Sequence, residues 1–101
     1  MSDQEDFNYK NIDDLIHSRI RLAIMSILVS TESPEFKHLK EKVGTTDGNL
    51  SSHLSKLEKA GYLEVNKQFI KKKPITYYNI TEKGREAFEA YVEQLEKFLK
   101  L

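Results

Sequence analysis

Two groups of side chains in this sequence carry donors, acceptors or charge at a spacing that suits a polar partner. The first lies in TTDGNLSSHLSKLEKAGYLEV, residues 45–65. On a helix turning about 100° per residue, Leu54 and Leu57 fall within about 40° of Leu50, giving a narrow core stripe. Gly48, Ser52, Ser55 and Lys59 fall opposite, with Asn49, Ser51 and Lys56 on the flanks. Serine and glycine are mediocre helix formers, so this surface gives up propensity for something else. Short side chains let a helix axis come close to another surface, and hydroxyls and amides pair with phosphates and base edges. Thr46 is the N-cap, and Asp47 with Gly48 opens a first turn whose backbone N–H groups can meet a phosphate. The second group is Lys71, Lys72 and Lys73, three consecutive cations. A serine-rich solvated helix and an ordinary solvated loop are the plain alternatives.

Other chemistries find less support. The chain has no cysteine, which excludes disulfides, thiolate metal sites and cysteine nucleophiles. His17 and His38 have no neighbours at metal-ligand spacing, and Asp13, Asp14 and His17 form an isolated cluster. No cofactor or metal site is expected. Asp13 and Asp14 fit the first turn of a helix, where the macrodipole favours them. No nucleophile–base pair or glycine-rich phosphate loop suggests an enzyme. His53 either touches a phosphate or base edge, or packs half-buried against the preceding helix. Arg19 and Arg21 either reach a nucleic-acid backbone or pair with acidic neighbours. Tyr77 and Tyr78 point to opposite faces of a strand, one toward the core and one outward.

These residues need a scaffold. The 101 residues suit one domain, and the first ten, polar in character, are expected to be disordered. A first helical stretch is expected from about Asn11 to His17, with Ile12, Leu15 and Ile16 as its apolar residues. Ser18 caps a second, RIRLAIMSILVS, apolar on two faces: Ile20, Ala23, Ile24 and Ile27 on one, Leu22, Met25 and Val29 on the other. These segments fill residues 11–30. Residues 36–61 read as two helices around a tight turn, the first marked by Phe36, Leu39 and Val43 and stopped by Gly44, the second running from Thr46 to Ala60. YLEVNKQFI and ITYYNI read as strands joined by the basic loop 71–74, with a further short strand near Glu35. A last helix fills 81–101, with Phe88, Val92, Leu95 and Leu99 at heptad-like spacing.

Composition bounds the partners. Apolar residues make up 39% and charged residues 32%, as in a water-soluble fold. No apolar run approaches the roughly 18 residues that span a bilayer, and the acidic start MSDQEDFNYK lacks signal-peptide features. A cytoplasmic location without membrane contact is expected. The formal charge is zero, yet residues 1–36 carry −4, residues 37–85 carry +6 and residues 86–101 carry −2. The basic middle suits a polyanionic partner despite the neutral total.

NLSSHLSKLEKAGYLEV, followed by KKKPITYYNITEKG, resembles winged-helix transcriptional regulators of the broad ArsR/MarR type. It is most similar to their small single-domain winged-helix group. The likeness spans roughly Ile12 to Leu99. It implies an α+β, mainly α, fold: a winged helix-turn-helix with a small antiparallel hairpin and flanking N- and C-terminal dimerisation helices. It also implies a homodimer on double-stranded DNA, with helix 46–60 in the major groove and wing 67–76 on the backbone or in the minor groove. The expected DNA-contacting residues are Thr46, Asp47, Gly48, Asn49, Ser51, Ser52, His53, Ser55, Lys56, Lys59, Lys71, Lys72 and Lys73. The expected dimer surface is Leu15, Leu22, Met25, Val29, Phe88, Val92, Leu95 and Leu99. A winged helix used only to bind proteins is the competing expectation, and it would expose apolar anchors on the recognition face.

Overall fold

The computed structural model describes residues 8–100. Among them are four helices and one hairpin: α1 (Arg19–Ser30), α2 (Phe36–Val43), α3 (Asp47–Lys59), β1 (Leu63–Ile70), β2 (Lys73–Ile80) and α4 (Glu82–Leu99). Of the ten residues expected to be disordered, 1–7 lie outside the described ones, while Tyr9–Asn11 forms one 3-10 turn capped by Asn8. Leu101 also lies outside.

The helix expected over Asn11–His17 is absent. Its place is taken by a turn that Asp13 holds, its Oδ1 accepting from the N–H groups of Leu15 (2.8 Å) and Ile16 (3.0 Å). Asp13 Oδ2 accepts from the Tyr62 hydroxyl at 2.5 Å. Asp13 bonds like an N-cap and its carbonyl accepts from His17 N–H, so a single turn forms, and the extended backbone of Ser18, which caps the next helix, ends it there. The turn drops Ile16 into the core with no exposed surface.

Ser18 caps α1 as its position suggests, Oγ accepting from Arg21 N–H. The helix buries a stripe of Ile24, Met25 and Leu28, with Ile20, Leu22 and Ile27 half-buried beside it. This corrects the expectation of two separate apolar faces. Leu28 stands about 40° from Ile24 and 60° from Met25, and it joins the two into one broad stripe. Met25 is completely buried within its own chain, so it is no part of any outward surface.

α2 stops at left-handed Gly44 (φ 73°), whose N–H donates to the Lys40 carbonyl. Two residues later Thr46 Oγ1 accepts from Asn49 N–H and starts α3. α3 presents Leu50, Leu54 and Leu57 to the core, all buried. It ends in a Schellman arrangement: Tyr62 N–H donates to Leu57 O, Gly61 N–H to Glu58 O, and Gly61 takes φ 81°. Lys83 Nζ donates to the Ala60 carbonyl at 2.8 Å and Thr81 Oγ1 to the Gly61 carbonyl at 2.6 Å, tying the start of α4 to the end of α3. Gly84 permits this approach, because a Cβ there would stand 2.1 Å from the Tyr62 carbonyl oxygen.

β1 and β2 pair antiparallel, from Leu63 opposite Ile80 out to Ile70 opposite Lys73. Near Glu35, where a further short strand is expected, there is only an isolated antiparallel bridge to Tyr77, and the sheet among the described residues has two strands. Tyr78 is buried and Tyr77 half-buried on the opposite face. The connection is tighter than the four-residue basic loop expected: only Lys71 and Lys72 lie outside the strands, and β2 already includes Lys73 and Pro74.

Candidate nucleic-acid interface

The polar face of α3 is on the surface. Thr46, Asp47, Gly48, Asn49, Ser51, Ser52, Lys56 and Lys59 are exposed, and His53 and Ser55 are half-buried. None of these is a large apolar side chain, so the face offers no anchor of the kind a protein-binding groove takes. A Cβ on Gly48 would meet nothing within 4 Å, so nothing in its own described chain requires glycine there. Asn49 Nδ2 donates to Thr45 Oγ1 at 3.3 Å, which fixes the amide at the start of the face. Asp47 forms an ion pair with Lys40 at 2.7 Å. Its carboxylate sits in the first turn of α3 and favours the helix dipole, while Lys40 offsets the repulsion it would offer a phosphate.

His53 meets a residue of α1. Arg21 Nη1 donates to His53 Nδ1 at 2.8 Å, and Arg21 Nε donates to the Leu15 carbonyl at 2.5 Å. Because a guanidinium only donates, Nδ1 must accept, the ring is neutral and its proton sits on Nε2. Burial, then the charges of Arg21 and Lys56, hold the ring below its ordinary pKa of 6.5. Within the chain Arg21 thus meets a histidine rather than an acidic neighbour, and His53 is tied to α1. No local pattern marks this pair, because its members are 32 residues apart.

His17 and Asp13 are held by contacts within the chain. His17 Nδ1 lies 2.9 Å from the Tyr91 hydroxyl, and Asp13 is saturated by the turn and by Tyr62. Burial and this hydrogen bond push the Tyr62 phenol up to about 12. Among the described residues no group of three or more His, Asp or Glu side chains is placed to hold a metal.

At the far end of the hairpin Lys71 (φ 53°) and Lys72 (φ 67°) are both left-handed, the geometry of a two-residue type I′ turn. Such a turn favours Asn-Gly, because at left-handed dihedrals a Cβ crowds the following carbonyl oxygen. With Lys73 they make an exposed cationic tip. Between hairpin and helix runs a shallow cleft of about 160 Å³, lined by Ser51, Ser55 and Glu58 of α3 and by Val65, Lys67 and Tyr78 of the sheet. Lys67 on this cleft, and Lys40 beside Asp47, are basic groups that the sequence reading left out.

A short helix, a tight turn, a second helix with a bare polar face and a basic hairpin beside it define a winged helix-turn-helix. The family model for the winged helix DNA-binding domain matches residues 20–99, and the chain belongs to that family. A protein of Methanocaldococcus jannaschii, described only as uncharacterized, is 43% identical over 81 residues, covering 80% of this chain and 88% of its own length. A transcriptional regulator homologue from Pyrococcus horikoshii superposes with a TM-score of 0.82 at 25% identity, covering 99% of this chain and 96% of that one. A MarR-family regulator from Silicibacter pomeroyi shares the fold at TM-score 0.67 and 16% identity, over 86% of this chain and 57% of its own. Among the described residues no helix is long and apolar enough to cross a membrane.

Proposed function

We propose that the protein is a homodimeric, sequence-specific regulator of transcription that binds double-stranded DNA without catalysing a reaction. α3 enters the major groove, where Asn49, Ser51, Ser52 and Ser55 read base edges and Lys56 and Lys59 take phosphates. The wing lies along the backbone or in the minor groove through Lys71, Lys72 and Lys73. Thr46 and Asp47 shape the helix start, and Gly48 lets the backbone approach. His53 presents Nε2–H as a donor while Arg21 holds its other nitrogen. A cytoplasmic site of action accompanies a DNA partner.

One observation carries the reading: an exposed small-residue face on α3 stands beside a lysine-tipped hairpin in a chain of the winged helix DNA-binding family. The dimer rests on a different surface. Val92 and Leu99 are 37% and 77% exposed along α4, with half-buried Phe88 and Leu95 on the same ridge. Leu15, Leu22 and Val29 are half-buried on the N-terminal side.

Binding to mixed duplexes, followed by anisotropy over a range of salt concentrations, tests the proposal. Affinity should fall steeply with salt, and K71A/K72A/K73A should weaken all duplexes alike and flatten the slope. S52A should instead change which duplexes are preferred. A triple-lysine variant that binds as the parent does at every salt concentration would refute the wing assignment.

A further inference from the structure

We propose that Phe69 is an apolar wedge that the wing carries into the DNA minor groove, partly unstacking a base step beside the phosphates held by the lysines. This rests on the DNA-binding reading above and adds a non-ionic contact to it. Side chains alternate across a strand, so Leu63, Val65, Lys67 and Phe69 share one face of the hairpin. Their cross-strand partners on that face are Ile80, Tyr78, Thr76 and Pro74. At the base of the hairpin the face is closed: Leu63 and Tyr78 are buried, and Val65 and Lys67 border the cleft against Ser51 and Ser55 of α3. Further out, Phe69 stands 80% exposed with only Pro74 opposite it. Strand periodicity therefore puts the ring on the side of the sheet that meets the recognition helix.

Charge selects the occupant. Lys67 shares the face two residues before Phe69, and Lys71 and Lys72 follow at the tip, so cations flank the ring along the strand. A second copy docking here would bring two lysine clusters together, whereas a polyanion is drawn in by them. Within a duplex the apolar surface open to a ring is the stacked base step, which minor-groove proteins open with Phe, Leu, Ile or Met. Pyrimidine–purine steps unstack most easily, so the wedge should favour TA and CA steps.

The test compares the full-length parent, F69A and F69L on random-sequence duplex pools, by anisotropy at several salt concentrations and by sequencing the retained duplexes. The exposed position predicts unchanged thermal midpoints. F69A should lose on the order of tenfold in affinity at every salt concentration with an unchanged salt slope, since no phosphate contact is removed. F69L should recover most of that loss. Parent-selected pools should carry TA or CA steps flanking the motif, and F69A-selected pools should not. F69A binding as tightly as the parent overturns the proposal, as does an F69A-dependent loss of self-association or of vesicle binding in the absence of DNA. A parent that binds no duplex at all refutes the DNA-binding reading instead, and this inference falls with it.

Discussion

A guanidinium can only donate, and that fact decides the state of His53 on the recognition helix. The folded ring resists protonation, while the unfolded chain takes up its proton near the ordinary 6.5. The unfolded state therefore binds more protons in that interval, and stability is lost as pH falls from 6.5 through the folded value. H53N keeps an acceptor for Arg21 but does not titrate. Its thermal midpoint should fall less than the parent's between neutral and acidic pH, and equal slopes would remove His53 from the account. Gly48 makes a second test at this scale. With open space at its Cβ, G48A should leave the fold intact or stabilise it by up to about 1 kcal/mol, the helix-propensity difference. The same variant should bind DNA more weakly if the backbone approaches its partner closely. Calorimetry and a binding titration on one preparation separate the two effects.

At the scale of elements, the hairpin shows a local rule set aside. Lys71 and Lys72 occupy left-handed positions that Asn-Gly would fill with less strain. K71N/K72G should raise stability by about 1 kcal/mol or more and reduce the magnitude of the salt slope by about 2, one phosphate contact per lysine. A variant stabilised with no change in slope would mean that the lysines are not at the DNA. The four helices, the caps at Ser18 and Thr46, the stop at Gly44 and both strands were legible because each signal is local. The leucine stripe of α3 was legible for the same reason. The turn at Asp13 was not, since it depends on a tyrosine 49 residues away. Nor was the burial of Met25, where Leu28 merged two apolar stripes that periodicity separated. The exposure of Phe69 was also hidden: an aromatic in a strand reads as core, and only the length of the hairpin beyond α3 leaves it outside.

For the whole molecule, the polar face of α3 was read from spacing, but the cleft that Lys67 shares with Ser51 and Ser55 needed the fold. The neutral total charge conceals a basic middle between acidic ends, so binding should depend on salt far more than a pI near 6.8 suggests. The proposed dimer uses the exposed ridge of α4. V92E/L99E should leave the chain folded, since both residues are exposed, and shift sedimentation to the monomer. DNA affinity should then fall by at least tenfold through lost bivalency. A folded variant that still sediments as a dimer would move the interface elsewhere. The most direct measurement is selection of bound duplexes from a random pool by the full-length protein, read by sequencing. An inverted repeat is expected, its half-sites centred about one helical turn, roughly 10 base pairs, apart. Retention of a single asymmetric motif would contradict the dimer, and retention no better than a protein-free control would contradict DNA recognition itself.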